Sequence, residues 1–413
     1  MNPRALSPIR GRWQAAAQLV AESRDLLDDR PGGADGDPPR ALVSRGWDSF
    51  LLSLDDRELG AIEVRGTDAP WPERTPEAFR RLVLRTQGVC GLPALSTPDG
   101  SPTRARRGET PRKRAQIDAF GRLVSAMASR AARVVDVGSG HGHLTRDLAE
   151  RVGLPVVGLE RDRALAGAAR RMSSGASPTF TVTDVLQDGL ALSEGDCVVG
   201  LHACGELGDA MVTTVASSPG PTLALVGCCL QKRRQLSRRP LCLTPELEDA
   251  LDLPRSLLGL SNLVSGDDGV EASRADNLLG RERRLALHRL LSSERPLRFG
   301  AEIEGLNRRA AQRDLSVLVA RAFAIRGQRA PSREAIDEAA GWARLEHARS
   351  RRLSIPRALL ARALEVYILL DRAAYLEEKG FEVAVGALFP ARVSPRNLAL
   401  VAWPEGARIA LPR

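Results

Sequence analysis

The chain has 413 residues, of which 43% are hydrophobic, with a formal net charge of +9 and six cysteines. That composition excludes a disordered chain and a small disulfide scaffold, and it leaves room for two or three domains. The opening MNPRALSPIRGRW lacks the apolar core of a secretory signal and no apolar run reaches the length of a bilayer span, so the expectation is a cytoplasmic protein with reduced thiols.

In chain order, WQAAAQLVAESRDLL and PEAFRRLVLRTQ carry apolar residues at helical spacing, so residues 1–95 read as an N-terminal helical region. Between the two helices, DDRPGGADGDPPR is a loop rich in Pro, Gly and Asp. STPDGSPTRARRGETPRKR, residues 96–114, reads as a basic linker. From 115 the pattern alternates strand and helix: RVVDV, LPVVGLE, PTFTVTD, DCVVGLH and PTLALVGCC are five strands. Repeated strand–helix units predict an α/β fold with a parallel sheet covered on both faces. PRALLARALEVYILLDRAAYLEEKG predicts a long helix, and FEVAVGALF with NLALVAW a C-terminal antiparallel hairpin. The domain so defined is 115–404, and Arg-rich residues 231–352 read as a helical insertion in it.

The chemistry concentrates in VVDVGSGHGHL. Asp136, Gly138, Ser139, Gly140 and Gly142 lie between a predicted strand and a predicted helix. Glycines let the backbone turn sharply and approach a ligand, and the helix N-terminus offers free N–H groups. Dinucleotide enzymes space this turn as Gly-x-Gly-x-x-Gly. Here the third glycine comes one residue early, and a carboxylate precedes the turn where it would repel a pyrophosphate. It suits instead the ammonium of S-adenosylmethionine (SAM). Glu160, at the end of the second strand, is placed to accept from both ribose hydroxyls, and Asp184, at the end of the third, from the adenine amino group. His141-x-His143 supplies only two metal ligands, with no third nearby, so His141 is expected to line the pocket and His143 to face solvent.

His202 and Cys204 follow the fourth strand; Cys228 and Cys229 close the fifth. Three readings stand for this group. His202 shapes the pocket with cysteines packed behind it, or acts on the methyl acceptor as the catalytic residue, or joins the cysteines in a metal site. Against the metal, Cys228 and Cys229, adjacent on a strand, should point to opposite faces; none is expected. RARRGETPRKR and QKRRQLSRR are the candidate polyanion-binding stretches. Only Lys113, Lys232 and Lys379 are lysines, so the arginines also fit a genome-wide compositional bias.

VVDVGSGHGHL, GLHACGEL, LVGCC and LLDRAAYLEEKGFEV with SPRNLALVA resemble the class I SAM-dependent methyltransferases. More narrowly, they are similar to the methyltransferase-like protein 25 group, some members of which are named ribosomal RNA adenine dimethylase domain-containing proteins. WDSFLLSLDDREL resembles the helical region before the catalytic domain in that group. The resemblance implies a Rossmann-like sheet, SAM as cofactor, and an RNA or a protein of the translation apparatus as acceptor. The group's Lys-Lys-x-His-Glu segment is present here as RKRAQI, with Ala115 and Gln116 replacing the His and Glu. Enzymes that methylate the adenine amino group carry Asn/Asp-Pro-Pro-aromatic after the fourth strand; HACGEL has neither the prolines nor the aromatic. Two other functions remain open: a non-catalytic SAM-binding interaction protein, and a nicotinamide-dependent oxidoreductase.

Overall fold

The computed structural model describes residues 7–29, 37–97, 108–173, 178–242, 247–263, 274–293, 296–306, 310, 314–407 and 409. Most of the basic linker, residues 98–107, lies outside the described residues. The chain forms two compact units: Met1–Asp28, Arg80–Gly266 and Arg357–Arg413 make the first, Asp29–Phe79 and Asp267–Pro356 the second. Residues 1–95 are thus divided between the units, and 231–266 belong with the first.

The first unit is built on a seven-stranded sheet. Its strands are β1 (Arg133–Val137), β2 (Val156–Glu160), β3 (Thr179–Val182), β4 (Asp196–Leu201), β5 (Thr222–Val226), β6 (Phe381–Ala387) and β7 (Leu398–Pro404), in spatial order β3-β2-β1-β4-β5-β7-β6. β1 to β5 pair in parallel; β7 runs antiparallel to β5, and β6 antiparallel to β7. This is the expected Rossmann-like sheet with its C-terminal hairpin. Val134, Val198, Val199, Leu223 and Ala224 are all but inaccessible to solvent. Such near-continuous apolar runs are what a strand covered on both faces requires.

Helices α1 (Pro111–Met127), α2 (His143–Val152), α3 (Arg163–Arg171), α4 (Glu206–Ala216) and α5 (Ile355–Glu378) accompany the sheet. α1 starts inside the stretch read as linker. The Thr110 side chain accepts from Lys113 N and Pro111 occupies the first turn, both strong helix-start features. Ile117, Phe120, Leu123 and Val124 of α1 pack with Leu144 and Leu148 of α2 in the core over the sheet.

In the second unit, Trp47, Phe50 and Trp71 surround Phe79, with ring centroids 4.9, 5.7 and 5.3 Å away. Leu287, Leu318, Val319 and Phe323 form a further cluster, and Ala286, Ala339 and Ala343 another. Among the described residues no helix is long and apolar enough to cross a membrane.

Candidate active site

The sheet reverses direction of winding between β1 and β4, so the connections after these two strands leave toward opposite sides. In open α/β sheets ligands bind at this crevice. β1 leads into a turn in which Gly138, Gly140 and Gly142 all have positive φ, at 78°, 56° and 71°. At Gly142 a side chain is doubly excluded, because a Cβ would also overlap the Phe180 ring.

The two carboxylates beside this turn are held differently. Asp136 is 2% exposed, and its Oδ2 accepts from Thr145 Oγ1 at 2.7 Å. Burial pushes its pKa up to about 7, with nearby Glu160 adding to the rise and the Thr145 hydrogen bond opposing it. Among the described residues no cation acts on Asp136. Glu160 Oε2 accepts from Gly140 N and Oε1 from Asp162 N, both at 2.9 Å. Each carboxylate oxygen has a second lone pair, so Glu160 keeps acceptor capacity while bracing the turn. Ser139 Oγ is buried without a hydrogen-bond partner.

Asp184 caps the short helix Val185–Asp188, accepting from Leu186 N, and its other oxygen accepts from Arg234 at 2.9 Å. His141 is exposed. His143 is not: it is buried, with Nδ1 3.2 Å from Glu109 Oε1. Burial, then Lys113 and Arg146, lower its pKa, and Glu109 opposes them. The expectation of a solvent-facing His143 fails because α1 and the residues before it cover the start of α2.

His202 follows β4 with φ at 70°, the only non-glycine residue with positive φ among the described residues. Its backbone N donates to Val226 O at 2.8 Å, which ties the β4 and β5 ends together. Its Nε2 lies 3.2 Å from Gln116 Oε1. With Gln116 Oε1 as the acceptor the proton lies on Nε2; Nδ1 is buried and has no hydrogen-bond partner among the described residues. Burial, then the fields of Arg112, Arg396, Lys113 and Lys232, push the imidazole pKa down to about 4, so it is neutral near pH 7. Gln116 is thus a neighbour of His202.

The loop carrying His202 is fixed from below by buried ions. Asp209 of α4 accepts from Arg372 Nε at 2.9 Å, Arg233 at 2.7 Å and Arg238 at 3.1 Å. Burial alone would raise its pKa, but Arg238 and Arg372 outweigh that and hold it well below the usual carboxylate range. Arg238 also reaches Asp371, and Arg372 donates to Gly205 O at 3.0 Å. Gly205 has φ at 56°, and a Cβ there would overlap the Lys232 carbonyl. These pairings correct the reading of QKRRQLSRR as a polyanion-binding stretch: Arg233 and Arg238 are internal ion partners, and Arg234 bridges to Asp184.

Cys204 and Cys228 are joined in a disulfide, with Cα atoms 5.3 Å apart. The expectation of uniformly reduced thiols is corrected at this pair. The cause is the register Leu201↔Val226, which sets the two following loops side by side.

Residues 112–235 match the family model described as a methyltransferase domain. The matched segment holds β1 to β5, the glycine turn, His202 and all of Cys204, Cys228 and Cys229. Among solved structures, a TehB-like SAM-dependent methyltransferase from Corynebacterium glutamicum is 19% identical over 26% of this chain and 61% of that one, at a TM-score of 0.22. A magnesium protoporphyrin IX methyltransferase from Synechocystis with bound S-adenosylhomocysteine is 22% identical over 30% and 64%, at 0.23. The sugar N-methyltransferase KedS8 from Streptoalloteichus is 20% identical over 33% and 60%, at 0.23. The chain therefore spans less than two thirds of each of these structures, and likeness of this degree adds nothing to the sheet order.

Proposed function

We propose that this protein transfers a methyl group from SAM to an acceptor bound beside His202. The observation that carries the reading is the three-glycine turn at the end of β1 flanked by buried Asp136 and by Glu160. The residues present fit the donor. Among the described residues no cation acts on Asp136, which would receive the methionine ammonium; Ser139 Oγ, buried without a partner, suits the methionine carboxylate; Glu160 would accept from the ribose hydroxyls. Asp184 is assigned to the adenine amino group by its place after β3. SAM, when bound, supplies a methyl group on a sulfonium, ready for in-line displacement. The protein's own work is to align the acceptor and exclude water. His202 is the catalytic residue on the acceptor side: Gln116 holds its Nε2, and the neutral imidazole orients the acceptor through Nδ1, while the proton that the acceptor releases goes to solvent.

We assign the catalytic domain to 115–404, the chain to the methyltransferase-like protein 25 group, and the acceptor to a macromolecule. Arg112, Lys113, Lys232 and Arg396, whose fields all reach His202, support an anionic one, hence RNA over protein. Isothermal titration should give binding of SAM and none of NAD. Incubation with methyl-labelled SAM and fractionated lysate should put label into RNA. SAM binding without label in any fraction would leave the non-catalytic SAM-binding protein in its place.

A further inference from the structure

We infer that Cys204, Cys228 and Cys229, when reduced, bind one thiophilic divalent cation, of which zinc is the type. The three Sγ atoms lie within 4.8 Å of one another and all three residues are half-buried. Once the Cys204–Cys228 bond is reduced and those two sulfurs part, three thiolates this close together can reach one ion at Zn–S distances of about 2.3 Å. The objection raised by the sequence was the alternation of Cys228 and Cys229 along a strand. It does not apply, because β5 ends at Val226 and both cysteines lie in the loop beyond it. There the backbone is free of the two-residue period, and both sulfurs reach Cys204.

The surroundings also fit. Gly205 N-cap geometry and the Arg372 bond to Gly205 O fix the loop behind Cys204. Lys232 N donates to Cys229 O, closing a turn after the cysteine pair. Among the described residues no fourth Cys, His, Asp or Glu joins the group, so the fourth position falls to water. Cys204 Sγ lies 2.9 Å from the His202 carbonyl oxygen, so the ion would brace the loop that presents His202. The inference stands apart from the methyl-transfer reading.

The disulfide and the metal are alternatives. Reduction by a water-soluble trialkylphosphine breaks the S–S bond, consumes one water, and yields two thiols and the phosphine oxide. Binding through three thiolates then releases three protons to buffer. The test is metal content after dialysis of the full chain, reduced anaerobically with the phosphine and loaded with zinc alone, with cobalt as a spectroscopic probe. Expected are one zinc per chain and a thiolate-to-cobalt charge-transfer band. Cys229→Ser should weaken zinc at least a hundredfold, while Cys90→Ser, outside the cluster, should leave it unchanged. Oxidation with diamide, with the Cys204–Cys228 disulfide verified by mass, should release the metal. Absence of zinc from the reduced protein, or zinc retained in both Cys229→Ser and Cys204→Ser, would overturn the site; so would zinc retained across the verified disulfide.

Discussion

The proposed donor side and the proposed acceptor side of the crevice are built by different means. On the donor side, the turn, Asp136, Thr145 and Glu160 sit within 25 residues of sequence, and backbone geometry does most of the work. On the acceptor side, His202 depends on Gln116, on the β5 loop, and on a buried ion cluster that draws on Asp209, Arg238, Asp371 and Arg372. A short-range site tolerates change elsewhere in the chain. A long-range site is only as sound as its most distant tie.

The largest effect should come from cutting that tie. Asp209 faces three arginines, two of them fully buried. Asp209→Ala leaves buried charge uncompensated and should cost about 3–5 kcal/mol in urea unfolding. A loss under about 1 kcal/mol would mean that the cluster does not hold the acceptor loops, and the comparison would collapse.

Next is His202→Ala. If His202 acts only on the acceptor side, turnover should fall by roughly a hundredfold while SAM affinity stays within about twofold. Single-turnover kinetics beside calorimetric SAM binding separates the two. Equal losses in both would make the division into sides artificial. Gln116→Ala should follow the same pattern more weakly, because Gln116 positions the imidazole and does not touch the acceptor.

Glu160→Ala tests the donor side. It removes charge-assisted hydrogen bonds and should weaken SAM by roughly 1.5 kcal/mol or more. Part of that loss would come through the turn, since Gly140 N loses its acceptor. Glu160→Gln keeps one acceptor oxygen and should recover some of it; no recovery would mean that charge, not turn geometry, carries the effect.

Legibility in the sequence follows the same division. β1 was read as RVVDV and is Arg133–Val137; the remaining strands and the long helix α5 were read nearly as well, because apolar period and glycine punctuation are local signals. The acids at the ends of β1 and β2 were legible as positions for the same reason; their roles toward SAM are proposed. Arg233 and Arg238 were not: an arginine beside three others looks like a surface patch, and only the fold brings Asp209 and Asp371 to it. His143 was misread because its cover, Glu109 and α1, comes from before the strand. The Cys228–Cys229 pair was misread by extending β5 three residues too far, which reversed the inference about where the second sulfur points.

The smallest expected effect is the sharpest on the donor side. With no ligand bound, burial holds Asp136 at a pKa of about 7, against an ordinary carboxylate value near 3.8. A folded-state pKa raised above the unfolded one contributes stability that is present below the unfolded pKa and lost as pH rises through the folded pKa. The ligand-free protein should therefore lose this contribution between about pH 4 and pH 7. A bound ammonium reverses the preference, because it pairs with the ionised carboxylate. SAM affinity should rise about fivefold from pH 6 to pH 7, as the ionised fraction of a group with a pKa of 7 rises from about a tenth to about a half. Above pH 7.5 the rise should flatten as the ligand's own α-amino group begins to lose its proton. Thermal shift with saturating SAM at each pH gives a second reading of the same linkage. Asp136→Asn should bind SAM weakly and without this slope. A slope of equal size in Asp136→Asn would assign the titration to another group and remove Asp136 from the ammonium site.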